Sequence, residues 1–180
     1  WRYDIAANTW SDAAAADSPQ AFDYGSDLKY DGSRYIYALK GNSDDTFMRY
    51  DTQVDTWEVL TNINFDGPDT QINNLVYIGG DLAFDGNDKI YAIQGNTRSG
   101  FAQYSINSNS WTVLGNLPAL AYTGAQIEYD STTNSIYFVP GWDRPFLYKY
   151  SLDTQVWTSL SESPIVFSAG SAMRIVSGYL

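Results

Sequence analysis

The sequence predicts an all-β fold assembled from repeated antiparallel units. Three observations carry that expectation: an aromatic-rich, charge-poor composition, a recurring Gly/Tyr/Trp register, and turn chemistry between short alternating strands. Aromatic residues are 16% of the 180 residues, with 15 Tyr and 6 Trp, against 17% charged residues. Tyr, Trp, Phe, Val and Ile suit a pleated, half-buried surface, so this balance favours strands. A chain of this length forms one domain and can bury a core without disulfides or metals.

The register is read from four aromatic pairs, each seven residues apart: Tyr3 with Trp10, Tyr50 with Trp57, Tyr104 with Trp111, and Tyr150 with Trp157. Nine residues before the last three Tyr stand Gly41, Gly95 and Gly141. Before each Gly runs an apolar segment, Tyr35 to Leu39, Ile90 to Ile93 and Ile136 to Val139. Such a segment is apolar in both alternating phases, which marks a strand covered on both faces. Further upstream, Gly25-x-x-Leu28-x-Tyr30, Gly79-x-x-Leu82-x-Phe84, Gly124-x-x-Ile127-x-Tyr129 and Gly170-x-x-Met173-x-Ile175 alternate with period two, as half-buried strands do. Asp31-Gly32-Ser33, the Asp85 to Asp88 stretch and residues 130–135 supply the Asp/Gly/Asn chemistry of hairpin turns. Four strands per unit follow: A near 25–30, B near 35–40, C near 46–51 and D near 56–60, repeated twice more.

A fixed period of about 45 to 50 residues is the mark of propeller blades. With Gly after the second strand, then Tyr, then Trp, the chain resembles the kelch-repeat family over essentially its whole length, with a single Gly after Lys40, Gln94 or Pro140 where that family usually has Gly-Gly. The resemblance implies a β-propeller of four-stranded kelch-like blades, about three and a half of them. Strands C and D of one blade fall at 1–12, whole blades at 24–61, 78–115 and 123–161, and the start of another at 169–180. Propellers close with about four to eight blades. The expectation is therefore an excerpt of a longer propeller chain, consistent with a start at Trp1, or a half-ring that associates with a second copy. A compact four-bladed ring is the remaining alternative.

Composition excludes several function classes. The formal charge of −11, with no Lys/Arg cluster, disfavours nucleic acid and anionic lipid surfaces. No window approaches the roughly 20 apolar residues of a membrane span, so no membrane insertion is expected. The absence of both His and Cys removes Ser-His-Asp and Cys-His catalysis and leaves no imidazole or thiolate for zinc, haem or copper. Some kelch-like propellers are copper oxidases, and that implication fails here for the same reason. No cofactor, metal site or catalytic residue is assigned. A cysteine-free, acidic, Asn/Ser/Thr-rich β domain without an Asn-x-Ser/Thr acceptor fits an extracellular or cell-surface protein of prokaryotic type.

The in-register Tyr and Trp are assigned to packing between units, and the Asp-Gly turns to backbone geometry rather than calcium. Function is sought where the copies differ, on loops held by a rigid scaffold. The B–C loops Asn42 to Thr46, Asn96 to Gly100 and Trp142 to Pro145 share almost nothing. The candidate ligand contacts are Trp142, Asp143 and Arg144, then Arg98, Asp44 and Asp45. The longer D–A connection, 61–78, adds Phe65 together with Asp66, Asp69, Gln71, Asn73 and Asn74. Large exposed aromatics and Arg are enriched at binding hot spots. The favoured function is a non-catalytic recognition module for a protein or glycan. The alternatives are a carbohydrate-active enzyme using paired carboxylates and a structural protein of a cell surface or filament.

Overall fold

The structure is a computed structural model that describes residues 2–11, 16–66 and 74–176. The expected contacts at Asp69, Gln71 and Asn73, and the terminal Tyr179-Leu180, lie outside the described residues. Among the described residues every regular element is a strand, and the strands form one two-stranded and three four-stranded antiparallel sheets.

The two-stranded sheet pairs β1 (Arg2–Asp4) with β2 (Thr9–Ser11). The first four-stranded sheet is a meander of β3 (Asp27–Tyr30), β4 (Tyr35–Leu39), β5 (Phe47–Asp51) and β6 (Thr56–Val59). The second holds β7 (Asp81–Phe84), β8 (Lys89–Ile93), β9 (Arg98–Ser105) and β10 (Ser110–Ala121). The third holds β11 (Gln126–Asp130), β12 (Ser135–Val139), β13 (Tyr148–Ser151) and β14 (Val156–Ser159).

The seven-residue spacing is a hairpin register. Tyr50 lies directly opposite Trp57, Tyr104 opposite Trp111, Tyr150 opposite Trp157, and Tyr3 opposite Trp10. Their ring centroids are 5.0–5.2 Å apart, where aromatic pairs add about 0.5–1.5 kcal/mol beyond area burial. Five residues after each Tyr the chain turns through a positive φ, at Asn8, Asp55, Asn109 and Gln155. Asn and Asp tolerate that conformation. At the first three the Tyr hydroxyl also donates to the Asn or Asp side chain. Burial pushes the Tyr104 hydroxyl up to about 12, so it serves as a donor throughout the ordinary pH range.

The sheets are joined in sequence by the same parts used twice. Phe47 of β5 packs edge-on against Tyr104 and Trp111 of the second sheet at 4.9 and 5.0 Å. Phe101 of β9 meets Tyr150 and Trp157 of the third at 5.2 and 5.3 Å. The Trp111 indole N–H donates to the Thr61 carbonyl of the preceding sheet at 2.9 Å. Each seam encloses a core cluster, one around Tyr37, Phe47, Leu82 and Ile90, the other around Ile93, Phe101, Ile127 and Phe138. The B strand β8 runs between these clusters, Ile90 and Ala92 facing the first and Tyr91 and Ile93 the second, which is why it is apolar in both phases; β4 lends Tyr37 and Leu39 to the first and β12 lends Ile136 and Phe138 to the second.

On the A strands the link is a side chain bonded to the next sheet's backbone. Asp27 accepts from the Leu82 amide at 3.0 Å, Asp81 from the Ile127 amide at 2.7 Å, and Gln126 from the Met173 amide at 2.8 Å. Asp27 and Asp81 are hydrogen-bonded to each other. Burial, reinforced by the neighbouring Asp27 carboxyl, pushes Asp81 well above the usual carboxylate range, and burial raises Asp27 as well. Both shifts favour keeping a proton between the two carboxyls at pH values where a free Asp has lost it. Beside it Lys29 reaches Glu128 at 3.0 Å, and Arg174 meets the same carboxylate at 3.1 Å.

Two expectations require correction. The D strand of the second sheet does not stop near Leu114. β10 continues to Ala121 beside an early-starting β9, and the break in register at Val113–Gly115 is taken up by Gly115 at φ +106°. The fourth copy, 169–176, forms no named strand among the described residues, although Met173 is held by Gln126.

Candidate ligand-binding site

The B–C connections all begin with the same backbone. Three consecutive residues take positive φ: Gly41-Asn42-Ser43 at 72°, 55° and 58°, Gly95-Asn96-Thr97 at 73°, 55° and 59°, and Gly141-Trp142-Asp143 at 73°, 52° and 55°. The second residue of each turn donates its N–H to the lead-in of its own A strand, at Tyr24, Ile78 and Thr123. The third donates to the chain running into the next sheet, at Val76, at Ala121 where β10 ends, and at Phe167. Glycine opens the turn because a Cβ on Gly141 would sit 2.4 Å from the Thr123 carbonyl oxygen. Each turn is thus a clasp between successive sheets.

In the first two turns the second position is Asn, a residue that accepts left-handed backbone; in the third it is Trp142, a bulky side chain that does not. Thr97, β-branched, is a similarly disfavoured occupant of the second turn. Both line one cleft of about 440 Å3, within the roughly 300–1,000 Å3 range of small-ligand sites. The cleft lies between the second and third turns, with walls from Tyr77, Tyr122 and Trp142 and polar groups from Asn96, Thr97 and Thr123. Trp142 stands edge-on to Tyr122 with centroids 4.6 Å apart and is 58% exposed.

Asp143 lines the same cleft and accepts the Ser168 hydroxyl, while Arg144 lies over the Tyr122 ring at 4.9 Å. These two do not form the solvent ion pair that adjacency invites. Arg144 also forms a backbone bridge with Phe167. Arg98 occupies the same offset in the second turn and opens a smaller cleft of about 250 Å3, which Thr97 also borders.

The other candidates are structural. Phe65, expected on an exposed connection, is 4% exposed and packs in the first core cluster, its amide bonded to Asn74 at 2.7 Å. Its ring lies against Gly100 of β9 and gives the first seam apolar cover. Asp44 pairs with Lys40, and its backbone bridges to Val76. Burial raises the Asp44 carboxyl, but the Lys40 ammonium and the Thr46 hydroxyl and amide more than offset this and leave it below its ordinary value. Asp45 accepts from the Asn62 amide nitrogen at 2.9 Å.

Sequence reasoning therefore finds Trp142 and Asp143 in the cleft and misses Tyr77, Tyr122 and Thr123. A signal existed: Tyr stands two residues before both Gly79 and Gly124. Among the described residues no group of three or more His, Cys, Asp or Glu is placed to hold a metal ion, and no helix is long and apolar enough to cross a membrane.

No family model and no curated protein matches the chain. It is similar to the solved structure titled "Structure of YjhT", with a TM-score of 0.63 and 17% identity over 85% of this chain. The match spans 55% of that structure, so the chain corresponds to about half its length. At that identity the likeness is one of fold: successive antiparallel sheets are a known solution for this chain topology.

Proposed function

We propose that the three sheets are kelch-type blades in an arc of a β-propeller, and that the chain is a non-catalytic recognition module. It binds a protein or glycan in the cleft between the second and third B–C turns, in an extracellular or cell-surface setting. The observation that carries this is Trp142. A large aromatic occupies a left-handed position where two sister turns carry Asn, and its ring is exposed at the cleft rather than buried. Side chains that break a local rule for little packing gain, here one edge-on contact with Tyr122, mark functional sites. Hydrolysis by paired carboxylates has less support, because among the described residues Asp143 is the one carboxylate lining the cleft and such chemistry needs two flanking the bond. Equilibrium binding of a glycan and peptide panel to the wild-type chain, Trp142→Asn and Arg144→Ala tests the module. At least a tenfold loss for the detected ligand is expected with Trp142→Asn, and unchanged affinity for every ligand would remove the site.

A second reading concerns association. Leu28 is 54% exposed on β3, whereas its counterparts Leu82 and Ile127 are covered by the preceding sheet. Further sheets, in a longer chain or a second copy, would cover this face. Concentration-dependent sedimentation that Leu28→Glu abolishes supports that reading, and a monodisperse monomer at all concentrations opposes it.

A further inference from the structure

We infer that the cleft takes a neutral pyranose, the ring of an uncharged sugar, rather than an acidic sugar or a peptide carboxylate. This rests on the recognition reading above and specifies its ligand. Consecutive backbone N–H groups in a turn can form an anion-binding nest. Here those of Asn96, Thr97, Trp142 and Asp143 are all spent on carbonyls of the sheet lead-ins, at 2.8–3.1 Å. The amides of the two turns are therefore not free to cradle an anion.

The neighbouring cations do not serve either: Arg98 lines the separate, smaller cleft. Arg144 lies over the Tyr122 ring and is not part of the cleft wall. Among the described residues the one formally charged group in the wall is the Asp143 carboxylate, which repels carboxylate and phosphate in a chain of net charge −11.

What remains is neutral. Among the described residues the side chains of Asn96, Thr97 and Thr123 make no hydrogen bond, although all three border the cleft. An amide and two hydroxyls both donate and accept, as ring hydroxyls do. The indole of Trp142 and the ring of Tyr77 supply apolar area for the C–H face of a pyranose. Asp143, acceptor-only when ionised, suits a sugar hydroxyl donor. A neutral polyol with one apolar face satisfies donors, acceptors and rings alike, whereas an anion could use only the three donors and would face the Asp143 carboxylate without a counter-charge.

The test titrates matched methyl glycosides into the purified chain and follows binding by calorimetry, up to about 10 mM, where a Kd of about 1 mM would be near saturation. The probes are methyl glucoside, galactoside and mannoside, their uronic acid counterparts, and an acidic and a neutral peptide. At least one neutral glycoside is expected to bind, with its uronic acid at least tenfold weaker. Trp142→Asn, which installs the residue the other turns tolerate, should cost tenfold or more, and Asn42→Ala in the first turn should change nothing. A uronic acid or peptide that binds as well or better, with the same loss in Trp142→Asn, overturns the neutral-sugar inference and leaves the recognition site standing. A panel in which no binding responds to Trp142→Asn overturns both.

Discussion

The first and third B–C turns share a backbone and differ in what they present. Gly41-Asn42-Ser43 and Gly141-Trp142-Asp143 have φ values within 3° of each other and make the same two hydrogen bonds, one to the lead-in of their own sheet and one to that of the next. The first carries small polar side chains suited to left-handed backbone. The third carries an indole, at a conformational cost of about 1–2 kcal/mol for a non-glycine residue. The clasp between sheets thus depends on main chain alone, which leaves the side chain at the second position free to serve a ligand. A frame satisfied by backbone is what allows loops to vary while the sheets stay in register.

The largest effect should come from breaking what the turns have in common. Gly41→Val and Gly141→Val each force a Cβ to within 2.5 Å of backbone at a positive φ, and each should lower stability by about 3 kcal/mol. Urea unfolding of both variants measures this. A large loss in one turn and none in the other would show that the two clasps are not equivalent.

Moving the cost from one turn to the other gives a smaller change. Asn42→Trp places an indole on the left-handed backbone of the first turn, away from the cleft, and should destabilise by about 1 kcal/mol. A shift in the urea midpoint without a change in slope would report it. An unchanged midpoint would mean that this backbone accepts Trp freely, and the contrast between the turns would lose its meaning.

A third variant separates the frame from the site by pH. Asp27 and Asp81 both titrate above the ordinary carboxylate value of 3.8 in the folded chain. The folded state therefore binds more protons than the unfolded one above pH 3.8. Stability falls as pH rises from there through the raised values, and then levels off. The charged groups facing the pair are Lys29 and, through it, Glu128 and Arg174. Asp51 runs the other way: the Arg34 guanidinium holds it at about 2, and its contribution is lost as pH falls from 3.8 through about 2. Asp81→Asn keeps an acceptor for the Ile127 amide and removes the shared proton. It should raise the melting temperature at pH 7 and flatten the decline above pH 4, leaving the fluorescence of Trp142 unchanged. A melting temperature that drops at pH 7 would contradict the shared proton.

Much of this architecture was legible because it recurs. The Tyr/Trp spacing gave the C–D hairpin register at all four places, and the doubly apolar runs gave the B strands. The reach of β10 to Ala121 was not legible, since 115–121 carries no alternation distinct from a loop and its pairing is set by where β9 starts. Burial of Phe65 was missed for a related reason: a lone aromatic in a long connection reads as exposed until the seam it covers is known. At the site, Trp142 and Asp143 stood out because the loops differ. Tyr77, Tyr122 and Thr123 belong to lead-ins that looked like scaffold. Only the packing of consecutive sheets carries them to the turns, and a linear pattern does not encode that distance.

The most direct test of the account is the unfolding free energy of Trp142→Asn against the wild-type chain in urea at one pH. If the indole serves the ligand and not the fold, the variant gains about 1 kcal/mol through relief of left-handed strain. A loss of 1 kcal/mol or more would make Trp142 a packing residue and contradict the division between backbone frame and free side chain.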